Sequence, residues 1–251
     1  MDEQIRKHVM DQLERNRERI NKKLDFQRER INERFDQKLS ELNGKLNFKQ
    51  EKIIEAALEL LTEGGLNDLS LRDIAKKIDI KAPALYWYFK SKSDLIDYMA
   101  EAILSRELAD AKPRADNETW QDWLSGQMTK LRKAMLAYPD GGRVVAGARL
   151  NPAKTLAQLF DNCILSLTSA GVDQKTALYI TMTATQYTFG FVIEEQAGPK
   201  PEDITTFVDR EFSDAYPSLA RAVKEYRKGA DIEDKAYAAG LQLIIKGAQA
   251  K

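Results

Sequence analysis

Two residue pairs in the middle of the chain mark the starts of short helices. Ser70-x-x-Asp73 and Ser91-x-x-Asp94 each place a hydroxyl and a carboxylate at the spacing that satisfies free backbone N–H groups in a first helical turn. Pro83 fits the first turn of another helix between them, because the N–H group that proline lacks has no helical partner there. Helices of about eight residues joined by turns of three or four residues predict a helix-turn-helix shape.

Helical patterns continue to the end of the chain. The apolar spacing, interrupted by glycine and proline, predicts helices over residues 120–138, 152–170, 174–197, 217–228 and 233–248. Only residues 144–148 have a composition that fits an extended segment. The sequence therefore predicts an all-α fold, with a small helix-turn-helix module followed by a larger helical domain.

An eleven-residue repeat occupies the N-terminus. Apolar residues recur at this interval in two registers, one with Val9, Ile20, Ile31 and Leu42 and one with Leu13, Leu24, Phe35 and Leu46. Eleven residues over three turns give about 3.67 residues per turn, close to the helical 3.6, so the apolar stripe stays on one face. The repeat predicts one long helix over residues 1–43. We expect Gly44 and Asn47 to interrupt it, with Asn47 and Gln50 capping the next helix.

The charge of this N-terminal segment leaves its role open. Residues 1–46 hold twelve basic and ten acidic side chains, and arginines are dense from Arg15 to Arg34. The segment could lie along the DNA backbone or enter a minor groove. It could instead pair with another copy through its apolar stripe, because a continuous apolar stripe is normally buried against a partner. It could also be a solvated extension with no role.

The composition excludes several classes of protein. The 39 basic and 39 acidic residues cancel, so any affinity for nucleic acid must come from where the charges lie. With one cysteine, Cys163, the chain cannot form an internal disulfide or a cysteine zinc cluster. Its one histidine, His8, lies in a charged segment, which argues against a histidine metal site and a Ser-His-Asp triad. Neither a Walker loop nor a GxGxxG motif is present. We expect a protein that is not an enzyme and has no cofactor and no metal site.

The same features predict the compartment. One cysteine is typical of a reducing compartment, and the first residues lack the pattern of a signal peptide. The uncharged stretch 176–193 is long enough to span a membrane, but its threonines favour a buried helix. We expect a cytoplasmic protein with no membrane contact.

One stretch resembles the DNA-binding module of the tetracycline-repressor (TetR) family. It reads Leu-Arg-Asp-Ile-Ala from Leu71 and Ala-Leu-Tyr-Trp-Tyr-Phe-Lys-Ser-Lys from Ala84, with Ile80 between the two and Leu95 after them. The resemblance continues into the family's ligand and dimer domain through Trp120-Gln121-Asp122, Asp140-Gly141, Arg149 and residues 177–194. It covers residues 47–248.

The resemblance implies an all-α fold with a helix-turn-helix DNA-binding module and a helical-bundle ligand-binding and dimerisation domain, preceded by a long N-terminal helix. Residues 1–46 are then a charged helical extension, residues 47–110 the DNA-binding domain and residues 111–251 the ligand-binding and dimerisation domain. The implied function is that of a repressor that binds a double-stranded DNA operator as a homodimer and is released by a small-molecule effector.

The resemblance also assigns residues to the DNA. The candidates are Ser70, Arg72, Lys81, Ala82, Pro83, Ala84, Tyr86, Trp87, Tyr88, Lys90 and Lys92. Ala82 and Ala84 occupy positions where family members read base edges, and an alanine methyl favours contact with a thymine methyl group. Tyr86, Trp87 and Tyr88 occupy the stretch that contacts phosphate and sugar, although aromatic residues at this spacing are often ordinary core. Asp79 stands where the family often has glycine in a left-handed conformation, which aspartate tolerates.

A ligand pocket is expected in the C-terminal domain. It would be lined by some of Trp123, Gln127, Leu131, Met135, Arg149, Phe160, Cys163, Met182, Gln186 and Tyr187. Such a lining suits an aromatic or amphipathic molecule. We expect the Arg149 side chain to point into the domain, where an arginine usually pairs with an anion or a carboxylate. In family members that bind magnesium-tetracycline, ligand-contacting histidines fall on Val145 and Leu108. Neither residue can coordinate a metal, so we do not expect a chelated tetracycline.

The resemblance places a four-helix dimer interface on residues 174–197 and 233–248, where Gly240 and several alanines permit close helix approach. Alternatively, these apolar faces only close the core of one chain. Two other classes of protein also fit a helical chain: a protein that sequesters a small molecule, and a coiled-coil scaffold, both without sequence-specific DNA binding.

Overall fold

The computed structural model describes residues 34, 38, 44, 46–198, 210–226 and 231–249. The chain divides into two compact units, Met1–Lys52 and Ile53–Lys251. In the first unit, residues 34, 38, 44 and 46–52 are helical. The predicted interruption at Gly44 and the predicted cap at Asn47 are therefore wrong, since both residues lie within helix. A glycine inside a helix costs about 1 kcal/mol relative to alanine, which does not by itself end the helix. Most of the repeat lies outside the described residues.

The second unit begins with a helix-turn-helix module. Its helices are α1 at residues 53–68, α2 at Leu71–Lys77, a 3-10 helix at Ala82–Trp87 and α3 at Lys92–Leu108. The Ser70 hydroxyl accepts the Asp73 N–H at 3.2 Å and the Ser91 hydroxyl accepts the Asp94 N–H at 3.0 Å, which confirms both predicted caps. The helix that contains Pro83 is of the tighter 3-10 type and ends at Trp87.

The turn between α2 and the 3-10 helix has the conformation predicted for it. Asp79 lies in the left-handed region with φ 55°. The Ile80 N–H then bonds the Ala75 carbonyl at 2.9 Å, which closes the turn onto α2. The module packs around a core that includes Leu61, Ile74 and Phe89, all of them buried.

Seven further helices follow in the described residues. They are α4 at Trp120–Leu136, α5 at Gly141–Ala146, α6 at Lys154–Ser169, α7 at Gln174–Ala197, α8 at Arg210–Ala215, α9 at Pro217–Tyr226 and α10 at Ile232–Gln249. Helix α3 packs on α4, α5 and α6, and α7 packs on these three helices and on α10. The all-α prediction is confirmed, since the described part of the chain contains helices and no strand. None of these helices is both long and apolar enough to cross a membrane.

The extended segment predicted at residues 144–148 is wrong, because α5 covers its first half. Asp140 precedes α5 in a left-handed conformation, φ 56°, and its carboxylate accepts the Leu66 N–H at 2.8 Å. Gly141 sits so close to α4 that a Cβ atom would overlap the Met135 carbonyl oxygen. Val144 and Val145 are both fully buried, so tertiary packing overrides their preference for extended structure.

Candidate functional site

The 3-10 helix presents a mixed aromatic and apolar surface to solvent. Trp87 is 87% exposed and Tyr86 is 59% exposed, whereas Leu85 and Phe89 are buried. With three residues per turn, residues three apart share a face of a 3-10 helix. Leu85 therefore faces the core, while Tyr86 and Trp87 face outward. Such exposure rules out ordinary core packing for Trp87 in this chain.

The other predicted DNA contacts surround this helix. Lys81, Pro83, Lys90 and Arg72 are exposed, and Lys92 is half-buried at the start of α3. Three further candidates are less accessible to DNA. Ala82 and Tyr88 pack partly against the core, and the Ser70 hydroxyl is engaged in capping α2.

A groove of about 450 Å³ runs beside the 3-10 helix. It brings together the sequence-predicted Tyr86, Trp87, Tyr88, Lys90 and Arg149, along with Asp94, Tyr98 and the loop that precedes α6. The expected inward orientation of Arg149 is wrong. Its side chain is 61% exposed and its guanidinium bonds Asp97 at 2.6 Å and Asp94 at 2.8 Å, because the two carboxylates lie three residues apart on one face of α3. These bonds, chiefly that to Asp97, raise the pKa of Arg149.

A second contact ties the same segment to α3. The Thr155 N–H and hydroxyl donate to the two carboxylate oxygens of Glu101, at 2.7 and 2.8 Å. Asp94, Asp97 and Glu101 follow one another at helical spacing, so one face of α3 accepts hydrogen bonds from residues 149 and 155. Asp94 also accepts the Lys90 N–H at 3.0 Å, just after the 3-10 helix.

Four of the predicted pocket residues form one buried stripe on α4. Trp123, Gln127, Leu131 and Met135 recur every four residues and are all less than a tenth exposed. The Trp123 indole N–H donates to the Lys112 carbonyl at 3.2 Å. The Oε1 atom of Gln127 is buried and has no hydrogen-bond partner among the described residues. A buried acceptor without a donor is uncommon in folded proteins.

The remaining pocket candidates do not all join this stripe. Cys163 is buried on α6, where burial raises the pKa of its thiol to about 12, and Phe160 is half-buried. Tyr187 stacks on Tyr237 with ring centroids 5.6 Å apart. Met182 and Gln186 lie on the outer face of α7 and are exposed, so the structure does not bring them to the interior.

The outer faces of α7 and α10 are apolar. Leu178, Tyr179 and Met182 are 40%, 55% and 41% exposed on α7, and Leu243 is 73% exposed on α10. The inner face of α10, with Leu241 and Ile245, is buried in the same chain. One face of these helices therefore closes the core of this chain, and the other is exposed and apolar.

Close approach of α7 and α10 within this chain depends on Gly240. A Cβ atom at this position would overlap the hydroxyl of Tyr187. That hydroxyl donates to the Tyr237 carbonyl oxygen at 3.1 Å.

A buried arginine that sequence reasoning missed also joins these helices. Arg132 on α4 donates two hydrogen bonds to Glu195, at 2.9 and 2.6 Å, and one to Asp234 at 2.6 Å. Its guanidinium lies 5.0 Å from the centroid of the Tyr237 ring. The bonds to Glu195 and Asp234 outweigh burial and raise the pKa of Arg132. The sequence carries no signal for this cluster, because its members come from three separate helices.

Val145 and Leu108, the positions on which the resemblance places ligand-contacting histidines of other family members, have no group that could coordinate a metal. Val145 and Leu108 are buried and apolar. Within the described residues, no group of three or more histidine, cysteine or acidic side chains could hold a metal ion. His8 lies outside the described residues.

A capped helix-turn-helix with an exposed aromatic helix, joined to a helical bundle with an apolar outer face, defines a DNA-binding regulator. Two family models match this chain. "Bacterial regulatory proteins, tetR family" matches residues 53–99, and "Tetracyclin repressor-like, C-terminal domain" matches residues 112–251.

Three relatives illustrate the similarity. The tetracycline repressor protein class A from transposon 1721 of Escherichia coli is 36% identical over 197 residues, which cover 78% of this chain and 88% of the relative. A variant of TetR from Acinetobacter baumannii AYE, in complex with minocycline, is 31% identical with TM-score 0.61, covering 78% of this chain and 94% of that one. A possible TetR family transcriptional regulator from Streptomyces coelicolor A3(2) is 32% identical with TM-score 0.70, covering 80% of this chain and 98% of that one.

The chain belongs to the TetR family of bacterial transcriptional regulators. It is a ligand-responsive DNA-binding repressor. The family, fold class and general function predicted from the sequence are confirmed, and the two rival classes of protein are set aside.

Proposed function

We propose that the chain binds its operator through the outward face of the 3-10 helix Ala82–Trp87, one helix from each of two copies. The observation that carries this proposal is the exposure of Trp87 beside the buried Leu85. A short helix with one face in the core and the other in solvent is the shape that enters a major groove. The two copies would place these helices about 34 to 36 Å apart, one turn of DNA.

The residues around this helix position it on the DNA backbone. Arg72, Lys81, Lys90 and Lys92 contact phosphates, and Tyr86, Trp87 and Tyr88 contact phosphate and sugar. Pro83 faces the bases with Ala82 and Ala84, and Ser70 supports the start of α2. Phosphate contacts set register without carrying sequence information, so binding weakens as salt concentration rises.

The effector site is built on the buried stripe of α4. Trp123, Gln127, Leu131 and Met135 line it, and Phe160, Cys163 and Tyr187 remain further candidates for its lining. The proposal is supported by the unpartnered Oε1 of Gln127, because leaving a buried acceptor unsatisfied costs about 1–3 kcal/mol. An aromatic or amphipathic molecule with an N–H or O–H donor would satisfy it.

The effector is held without a metal. The Acinetobacter relative is in complex with minocycline, but in this chain the apolar Val145 and Leu108 supply no ligand for a chelated ion. Selectivity then rests on shape and on the Gln127 acceptor.

Dimerisation uses the outer faces of α7 and α10. We assign Met182 and Gln186 to this surface rather than to the effector site, and Arg149 to the contact with α3. Effector binding next to α5 would shift the population towards a dimer whose two 3-10 helices no longer match the operator. Arg149, three residues beyond the last residue of α5, links α5 to α3 through its bonds to Asp94 and Asp97.

The chain acts by binding alone, without enzymatic activity, and works in the cytoplasm. Residues 1–46 form the N-terminal extension, residues 47–110 the DNA-binding domain and residues 111–251 the ligand-binding and dimerisation domain. The role of residues 1–46 stays among the three alternatives of DNA contact, pairing of copies and no role. A deletion of residues 1–46 separates them by its effect on operator affinity and on the mass of the assembly.

Variants at the DNA surface test the proposal. The duplex next to the protein's own gene is mixed with wild-type protein, with Tyr86→Ala and with Lys92→Ala, and discrete complexes are resolved by gel shift. Lys130→Ala removes an equal charge from an exposed position on α4 and is the matched control. We expect the first two variants to lose the complex while remaining dimers, and the control to keep it. Unchanged binding by both variants would overturn the proposal.

A further inference from the structure

The groove beside the 3-10 helix is large enough to hold a small molecule. Its volume of about 450 Å³ lies within the range of about 300–1,000 Å³ that ligand pockets occupy. Three segments line it: the end of the 3-10 helix with the turn after it, the first two turns of α3, and the loop before α6. Among the described residues, none of α4 lines this groove, so it is separate from the proposed effector site.

Aromatic side chains form much of the groove wall. Tyr86 and Trp87 are exposed at the end of the 3-10 helix, and Tyr98 lines the groove from α3. The Tyr98 ring packs edge-on against Phe89, with ring centroids 5.4 Å apart and an interplanar angle of 72°. Because Phe89 is buried, this contact holds the Tyr98 ring in place. Such a wall favours a planar aromatic ligand, which binds by stacked or edge-on contacts.

The carboxylates of the groove are already paired. Asp94 accepts hydrogen bonds from the Arg149 guanidinium at 2.8 Å and from the Lys90 N–H at 3.0 Å. Asp97, next to the groove on α3, accepts two more from Arg149, at 2.6 and 2.9 Å. A cationic ligand would therefore meet no uncommitted carboxylate among the described residues that line the groove.

Two cationic side chains of the groove keep donors uncommitted. Within the described residues, no carboxylate pairs with the exposed Lys90 ammonium group. The Arg149 guanidinium uses Nε and Nη2 for the two aspartates, which leaves Nη1 without a partner in this part of the chain. Because the aspartates fix the guanidinium, Nη1 is a preorganised donor. These donors favour a ligand with an anionic group.

We propose that the groove is a second small-molecule site, which takes a planar aromatic carboxylate. The ring contacts Tyr98 and Trp87, and the carboxylate contacts Lys90 and Nη1 of Arg149. Tyr86, Trp87 and Lys90 also belong to the proposed DNA surface. A ligand in the groove therefore excludes the operator directly, whereas an effector on α4 acts through the conformation of the dimer. The competition rests on the proposed function, and the binding of the ligand does not.

Binding is tested with 2-naphthoate, and its neutral amide, 2-naphthamide, is the matched control for charge. The full-length protein is labelled with 5-fluorotryptophan, and the fluorine resonances of Trp87 and Trp123 are assigned by replacing each residue with phenylalanine. We expect naphthoate to shift the Trp87 resonance and to leave that of Trp123, on α4, unchanged. The affinity should be about fivefold higher for naphthoate than for naphthamide, which corresponds to one well-formed exposed ion pair.

Substitution of Lys90 assigns the preference for charge. Lys90→Gln should bring the ratio of the two affinities towards one, because the remaining Nη1 donor of Arg149 serves an amide oxygen as well as a carboxylate. Lys130→Gln removes an exposed charge on α4 and should keep the ratio.

Substitution of Asn151 closes the groove without changing the proposed DNA contacts. Asn151 is an exposed lining residue in the loop before α6. Asn151→Phe places a bulky side chain there, so it should abolish the shift of the Trp87 resonance by naphthoate and keep operator affinity. Asn151→Ala is the control and should keep both.

The effect on DNA is measured with the fragment that the full-length dimer protects in a footprint. Direct exclusion predicts that the apparent Kd for this fragment rises with naphthoate concentration without a plateau, whereas coupling between two separate sites saturates. Asn151→Phe should abolish the rise.

Four results would overturn the inference: no shift of the Trp87 resonance, equal affinities for naphthoate and naphthamide, a rise in Kd that reaches a plateau, or loss of operator binding in Asn151→Phe. The last result would mean that the groove holds the DNA backbone. The proposed function fails differently, by the absence of any protected fragment while naphthoate still shifts the Trp87 resonance.

Discussion

Arg149 donates hydrogen bonds to both carboxylate oxygens of Asp97. Its Nε atom donates to Oδ2 at 2.6 Å and its backbone N–H donates to Oδ1 at 2.9 Å. Asp97 is buried on α3, three residues after Asp94, which bonds both Arg149 and the N–H of Lys90. A continuous set of hydrogen bonds therefore joins the segment after α5 to the end of the 3-10 helix.

The first prediction concerns this connection. Arg149→Ala leaves Asp97 without its main charged partner, so the first turns of α3 and the adjacent 3-10 helix should open more readily. We expect faster amide hydrogen exchange in residues 82–98, measured by mass spectrometry, and little change in α7. Lys130→Ala serves as the control. Unchanged exchange in residues 82–98 would show that Arg149 does not hold this region.

A second prediction concerns the unpartnered acceptor on α4. Gln127→Met replaces a buried amide by an apolar side chain of similar volume, which removes the desolvation cost of Oε1. The free energy of unfolding in urea should stay level or rise by about 1 kcal/mol, and release from the operator by the effector should be lost. A large loss of stability would mean that this amide serves the fold rather than a ligand.

A third prediction compares two glycines of the same helix. Gly240→Ala forces a methyl group into Tyr187, and overpacking of this kind costs about 1–3 kcal/mol. Gly247→Ala meets nothing within 4 Å and should stabilise α10 by about 0.5–1 kcal/mol. Thermal melting measures both changes. Equal effects of the two substitutions would contradict the close packing of α7 against α10.

A fourth prediction follows from the Cys163 thiol. Burial raises its pKa from an ordinary 9.0 to about 12, so the unfolded chain ionises first as pH rises. The stability that the protonated thiol contributes is fully present below about pH 9 and is lost as pH rises from about 9 to about 12. The loss in the free energy of unfolding is at most about 4 kcal/mol.

The effect of Cys163 is isolated by substitution. In Cys163→Val the fall in the free energy of unfolding between pH 9 and 10 should be shallower than in wild type. Tyr237, whose pKa burial raises from 10.0 to about 12, adds its loss only at higher pH. Parallel curves for the two proteins across this range would show that the thiol is not protected in the folded state.

Local signals in the sequence predicted the module well. Ser70 and Ser91 could be predicted as helix caps because capping depends on residues only three apart in the chain. Asp79 could be predicted at the turn because aspartate itself tolerates the left-handed conformation. The predictions for Val144 and Arg149 are wrong because the environments of both residues come from distant segments. The helix that contains Val144 packs on α3, α4 and α7, and Arg149 bonds α3. Arg132 shows the same limit: its partners lie 63 and 102 residues away in the chain.

The central claim is that two copies of the 3-10 helix read one specific operator. The most direct measurement is the ratio of affinities of the purified dimer for the footprinted fragment and for random duplex of equal length, at physiological salt. We predict a ratio of at least about 10³, with protection of two half-sites one helical turn apart. A ratio near one, or equal binding by a monomer, would contradict it.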